Sequence, residues 1–391
     1  MNDVEEALRR TLTGAAGQAP HAPITLTTTV ETRYRRRRAR TRAVLAAAAV
    51  VALVGGATFA LKGGTTRAMP ATPPTAKLPP PIEKVWPRAV REIPAGLPDG
   101  RAFYPYQFID ERTLLVAPDS AAVDAVYAYH LDTHDVRKIT DVPSPKGTVN
   151  YPGGFVAGSG RVVWWTALES GRGQIWSAPV SGGRAEAVAS FPLDDAGFDA
   201  LAVVGDRIVV SVEAGGVFTV PLGGGTVEPV KGGEDAHLLV WPWIGTPAQP
   251  GGDGEPTFGS IRNVETGRTS TAFTRSGETM IQCGQELCTG RSERGTAFVR
   301  LRDGSGEKPD PCAPPMPTGA PGRFCTEVVR GADNGLIGVA LHDRKNGGSA
   351  DLGLQRPQAE LPPIPALRDG RRLLSYTVGN RMHLVDLTKI P

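Results

Sequence analysis

The chain has 391 residues, 48 of them Gly and 35 Pro, with 40% hydrophobic and 21% charged residues and a formal charge of +3. This excludes a wholly disordered or collagen-like polymer and leaves room for two or three ordinary domains or one large all-β domain. Residues 1–42 carry nine Arg against four acids and the remainder 34 basic against 36 acidic residues, so the basic balance belongs to the tail and excludes nothing about the main domain's partners.

The first element expected is a short helix in "NDVEEALRRTL". Asn2 or Asp3 can cap it, and Glu5 and Glu6 stand in the first turn, each four residues before an arginine, Arg9 and Arg10. Val4, Leu8 and Leu12 form a narrow apolar stripe, suited to docking on a partner.

The next is "RYRRRRARTR", with seven arginines in ten residues (Arg33, Arg35, Arg36, Arg37, Arg38, Arg40 and Arg42). Ala43–Leu61 then holds no charged residue, and at about 1.5 Å per residue its length matches a bilayer's hydrocarbon core. The flank after it offers only Lys62 and Arg67, so the positive-inside bias predicts residues 1–42 in the cytoplasm and the chain after 61 outside the cell membrane. A cleaved signal peptide and a buried core helix beside a nucleic-acid arm are the rivals. The first would have a long basic region and no clean cleavage site. The second would want interleaved aromatics, and only Tyr34 is present, so no nucleic-acid partner is expected.

Residues 62–85 are a Pro-rich linker, expected to be extended and semi-rigid. From Trp86 to Pro391 the sequence becomes short β-rich runs. A strand, a turn and a second strand recur as "AVYAYHLDTHDVRKIT", "QIWSAPVSGGRAEAVASF", "GVFTVPLGGGTVEPV", "GSIRNVETGRTSTAF" and "AFVRLRDGSGE", more weakly as "GVALHDRKNGGSADLGL" and "MHLVDLTKIP". The turns fall near Asp132, Gly182, Gly224, Gly267, Gly304, Gly347 and Thr388, a period of about 42 residues that fits a four-stranded propeller blade. Upstream of several turns stands another apolar strand, such as "GRVVWWTAL" or "DRIVVSVE", apolar on both faces as befits a sheet buried between sheets. Trp164, Trp165, Trp176, Trp241 and Trp243 are therefore expected in inter-blade core. The fold class predicted is an all-β propeller of seven blades, with six or eight as neighbouring counts and a bent β-sandwich pair as the alternative. "RAVREIP" (88–94) is expected to supply the missing outer strand of the last blade and close the ring.

A helix of the form D-x-E-x-x-L-R-x-x-L, an Arg cluster, an Ala-rich span, a Pro-rich stalk and a β-rich exterior together resemble a recurring kind of actinobacterial single-span membrane protein with an extracytoplasmic TolB/WD-like propeller. The resemblance implies, for some members, association with an extracytoplasmic-function sigma factor. A zinc-type anti-sigma domain does not fit, because residues 1–42 contain no Cys and one histidine, His21.

The four cysteines, Cys283, Cys288, Cys312 and Cys325, allow three pairings, of which Cys283–Cys288 and Cys312–Cys325 are expected. Their spacing does not make zinc hooks. The chain has no G-x-S-x-G, H-E-x-x-H, P-loop or G-x-G-x-x-G. "HLDTHD" (His130, His134, Asp135) and "PLDDAGFD" (Asp194, Asp195, Asp199) are the metal-like clusters, and each reads more simply as a solvated connection. No catalytic, cofactor-binding or metal residues are assigned and no cofactor is expected. The function expected is a membrane-anchored extracytoplasmic binding or sensor platform for a protein, peptide or envelope glycan, with a cytoplasmic partner such as a sigma factor. The alternative is a propeller hydrolase or lyase acting on envelope carbohydrate.

Overall fold

The structure, a computed structural model, describes residues 77–120, 123–193, 197–246, 256–312, 321–331, 335–354, 365, 367–368 and 372–391. The N-terminal helix, the Arg cluster from Arg33 to Arg42 and the apolar run Ala43–Leu61 lie outside these residues. Among the described residues no helix is long and apolar enough to cross a membrane.

Seven antiparallel sheets follow one another along the chain. After the short helix α1 (Ile82–Val85) and strand β1 (Val90–Pro94), blade one contains β2 (Phe103–Phe108), β3 (Thr113–Pro118), β4 (Ala125–His130) and β5 (Val136–Asp141). Blade two is β6 (Thr148–Gly158), β7 (Arg161–Leu168), β8 (Arg172–Pro179) and β9 (Glu186–Pro192). Blade three is β10 (Phe198–Val204), β11 (Arg207–Val212), β12 (Val217–Pro221) and β13 (Glu228–Pro229). Blade four is β14 (His237–Val240), β15 (Trp243–Thr246), β16 (Ser260–Asn263) and β17 (Thr269–Thr271). Blade five is β18 (Thr279–Cys283), β19 (Leu287–Arg291), β20 (Ala297–Leu301) and β21 (Lys308–Pro309). Blade six shows β22 (Phe324–Arg330), β23 (Leu336–Asp343) and β24 (Ser349–Asp351). Blade seven is β25 (Leu367–Arg368), β26 (Leu373–Val378) and β27 (Arg381–Asp386), completed by β1.

One backbone hydrogen bond marks the repeat in every blade. The amide just after the third strand donates to the carbonyl just before the second: Leu131 to Arg112, Val180 to Gly160, Leu222 to Asp206, Val264 to Pro242, Arg302 to Glu286, Arg344 to Arg323 and Leu387 to Arg372. By this mark β22 is the second strand of blade six, and the position of its first strand falls outside the described residues. The glycines of the following turns, Gly182, Gly224, Gly267, Gly304 and Gly347, all have positive φ, between 73° and 113°, a region that residues with a Cβ rarely adopt.

The core is divided among the seams between blades. Trp164, Val162, Leu115 and Val126 fill the seam between blades one and two, and Ile175, Val163, Phe198 and Ile208 the next. Val209, Leu238 and Ile244 join blades three and four. Among the described residues the cluster at the seam of blades four and five is small, Ile281, Cys283 and Cys288 with half-buried Ala272 against them, and no apolar cluster joins blades five and six. Apolar packing resumes at seam six–seven with Val339, Leu341, Leu374 and Val385, and at seam seven–one with Ile93, Leu114, Met382 and Leu384.

The N-terminal lead-in closes the ring. Pro80 accepts a hydrogen bond from the Asp351 amide at the rim of blade six, Ile82 is fully buried, and Trp86 meets Phe324 edge-on at 6.5 Å. β1 then pairs antiparallel with β27, Val90 opposite Val385 and Pro94 opposite Arg381. The strand expected from "RAVREIP" thus stands at the outer edge of the last blade.

Candidate functional site

The first strands of successive blades touch one another (β2 with β6, β6 with β10, β10 with β14) and so surround the central channel. The composition of these strands decides what the channel can do. On β6 and β10, Val156, Leu201 and Val203 are half-buried against the seam of blades two and three, Ala157 against the seam of blades one and two, and Ala200 and Ala202 against the seam of blades three and four. In all the described first strands there is one carboxylate, Asp199, and one imidazole, His237. They belong to neighbouring blades and meet, with Asp199 Oδ2 2.5 Å from His237 Nδ1. The Leu238 amide donates to Ser211 Oγ at 3.0 Å and fixes β14 against blade three, which holds the pair in register. A carboxylate accepting from Nδ1–H fixes the tautomer and leaves Nε2 as an acceptor for a ligand.

The pair lies at the end of the ring where each blade begins. At that end of blade one, Tyr104 and Tyr106 stand edge to face at 5.5 Å, and Tyr106 contacts Phe155 at 5.0 Å. Burial pushes the Tyr106 phenol up, and the charge of Asp119 adds to it, so the hydroxyl stays a neutral donor.

Among the described residues polar chemistry is dense in the two seams that have little or no apolar core. Between blades four and five, Arg300 is 1% exposed, forks onto Glu278 at 2.5 and 2.6 Å, and lies 4.3 Å over the Phe298 ring. Burial pushes the Glu278 carboxyl up, but the hydrogen bond from Arg300 and the Arg275 amide outweigh it, and the net shift is down. Among the described residues Arg302 has no acid partner. Its N–H groups reach Ser270 Oγ and the carbonyls of Phe258, Gly259, Ser270 and Gly284, all at 2.8–3.0 Å. Burial pushes its guanidinium down to about 10, so it remains a cation at neutral pH.

Between blades five and six, Arg344 and Asp310 form an ion pair at 2.7 Å with both side chains buried. On the same side of blade six, Ser349 Oγ lies 2.8 Å from His342 Nδ1. Burial pushes the Glu327 carboxyl up, opposed by the Ser349 hydroxyl, and pushes the His342 imidazole down. The disulfide Cys312–Cys325 crosses this seam with its Cα atoms 6.0 Å apart, and Cys283–Cys288 ties β18 to β19. The two disulfides pair as the spacing led one to expect, and no cysteine is free.

The other expected residues sort by place. In "HLDTHD", His130 Nδ1 lies 3.2 Å from the Thr133 amide, and the His130 amide donates to the Asp135 carbonyl, so the segment is a self-satisfied turn. Asp194 and Asp195 lie outside the described residues, and Asp199 turns to His237 instead. Trp164 is fully buried. Trp165, Trp176 and Trp241 are half-buried against the seams, and Trp243 is half-buried at the start of β15. The Asp199–His237 pair was missed because its members stand 38 residues apart. That separation is about one blade period, and it was the available signal. Glu327, Ser349 and His342 carry no such signal, being brought together by strand pairing alone.

No protein-family model and no curated protein matches the chain. Among solved structures it is similar to oligogalacturonate lyase from Vibrio parahaemolyticus, with 9% identity and a TM-score of 0.44 over 76% of this chain and 97% of that one. It is similar also to the WD40 β-propeller domain of Doa1, with 9% identity and a TM-score of 0.37 over 76% and 97%, and to BamB from Moraxella catarrhalis, with 11% and 0.34 over 71% and 82%. At these values the seven-blade assignment rests on the chain's own strand pairing.

Proposed function

We propose that the propeller is the exterior half of a membrane-anchored binding platform, held by Ala43–Leu61 and receiving a protein, peptide or envelope-glycan ligand at the channel mouth. The observation that carries the binding reading is the channel wall. Among the described residues its first strands carry one carboxylate, Asp199, and that carboxylate is engaged with His237, whereas carbohydrate hydrolysis by the common route needs two carboxylates across the scissile bond. Tyr104 and Tyr106 supply flat apolar area at the same end, of the kind that ligand sites use. An exterior location is supported by the use of every cysteine in a disulfide and by the arginine run before the apolar segment. The tail, residues 1–42, would then report occupancy to a cytoplasmic partner, for which a sigma factor is the candidate.

The test has two parts. A reporter enzyme that works only outside the cytoplasm should be active when fused after residue 70 and silent at residue 30; the reverse pattern rejects the topology. The full chain in detergent should bind an envelope polysaccharide or peptide without turnover, and Asp199→Asn with His237→Gln should weaken binding about tenfold or more. Release of shortened or unsaturated sugar products would instead establish the hydrolase or lyase alternative.

A further inference from the structure

The seam where the lead-in joins the last blade gathers chemistry that neither packing nor the channel explains. On the side of blade seven facing blade six, three side chains stand in a row across β26, β27 and β1. His383 is directly opposite Tyr376 on one side and Glu92 on the other. The Tyr376 and His383 rings are stacked at 5.0 Å and 7°. From α1, Glu83 brings Oε1 to 3.6 Å from His383 Nδ1. One ligating atom from each of Glu83, Glu92 and His383 lies within 4.8 Å of the others.

Among the described residues two buried polar atoms here have no hydrogen-bond partner, His383 Nδ1 and the Tyr376 hydroxyl, in residues that are 9% and 7% exposed. Buried donors and acceptors are almost always paired, so two such atoms in one seam leave capacity for a ligand. Among the described residues Arg381 reaches the cluster: its Nε lies 3.6 Å from Glu92 Oε2, and its side chain is 43% exposed. It offsets one of the two carboxylates and leaves the pocket negative.

We propose that Glu83, Glu92 and His383 bind a divalent transition-metal ion of borderline softness, Zn²⁺ being the representative, which staples the lead-in to the last blade. One imidazole nitrogen and two carboxylate oxygens are a donor set for such an ion rather than for Ca²⁺ or Mg²⁺, which prefer oxygen alone. Metal bonds of about 2.0–2.2 Å put ligand atoms roughly 3–4 Å apart, a small contraction that two exposed glutamate side chains can make by rotation. The three ligands come from α1, β1 and β27, so an ion held there binds the closed ring and not the open one, and occupancy favours closure. This inference is independent of what the channel binds.

The test uses the full chain in detergent, stripped with EDTA and titrated with Zn²⁺, Mn²⁺, Ca²⁺ or Mg²⁺ alone, in a His21→Gln background to silence the tail histidine. Expected are one Zn²⁺ per chain, a higher thermal midpoint when saturated, and a Kd at least tenfold weaker in Glu83→Gln/Glu92→Gln and in His383→Gln. The glutamine variant should keep the metal-free midpoint, since both glutamates are exposed. No stoichiometric Zn²⁺, affinity unchanged in the glutamine variant, or preference for Ca²⁺ or Mg²⁺ would each overturn the proposal.

Discussion

Arg302 shows how one side chain can replace a patch of core. In the sequence it stands beside a turn, in "VRLRDGSGE", where an arginine reads as solvent-exposed. In the fold it is 5% exposed and supplies donors to five acceptors on blades four and five. Arg302→Leu would take a donor from four carbonyls and a hydroxyl, of which the Gly259 carbonyl keeps the Ala272 amide, a loss expected at about 3–5 kcal/mol in a urea titration. Arg302→Lys, with three donors, should lose less. A loss below about 1 kcal/mol for the leucine variant would mean that water reaches these carbonyls after all. The burial of Arg302 could not be read from the sequence, because it is set by the approach of two sheets whose apolar residues are too few to fill the gap. Trp164 is the opposite case: "VVWWTA" is apolar on both faces, and its first tryptophan is fully buried.

At the scale of strands the repeat was legible because each blade reuses one turn. The landmarks from Asp132 to Thr388 all fall just after a third strand, where the recurring amide-to-carbonyl bond closes the blade. The uneven quality of the seams was not legible, since a strand's partner sheet is not written in its own alternation. One of the two disulfides crosses a weak seam. Cys283–Cys288 closes a separation of 5 residues within one hairpin, and Cys312–Cys325 closes 13 across a seam without an apolar cluster. Chain entropy alone gives about 2 kcal/mol for the first and about 3 kcal/mol for the second. Cys312→Ser/Cys325→Ser should therefore cost more than Cys283→Ser/Cys288→Ser in guanidinium unfolding. It should also be the variant whose amide exchange first quickens in β22 and β23; equal costs, or quickening elsewhere, would count against the weak seam.

For the whole molecule, closure is the decisive contact. Ile93 is 1% exposed in the seam of blades seven and one and pairs with Met382. Ile93→Asp buries a carboxylate among Leu97, Leu114 and Leu384, and by rough conversion of about 3–4 kcal/mol the thermal midpoint should fall by about 5–10 °C. The equivalent change at exposed Glu111, on a turn of blade one, should move it little; equal effects would mean that the ring holds without its clasp.

The clasp also sets a timetable. Glu92 and Arg381, which touch in the finished ring, are 289 residues apart in the chain. At about 5–20 residues per second of synthesis, β1 exists for roughly 15–60 seconds before its mate is made. For that interval a newborn strand edge must be kept from pairing with a stranger, so the cell's handling of the nascent chain, more than the strength of any finished blade, governs how much of it survives to become a closed ring.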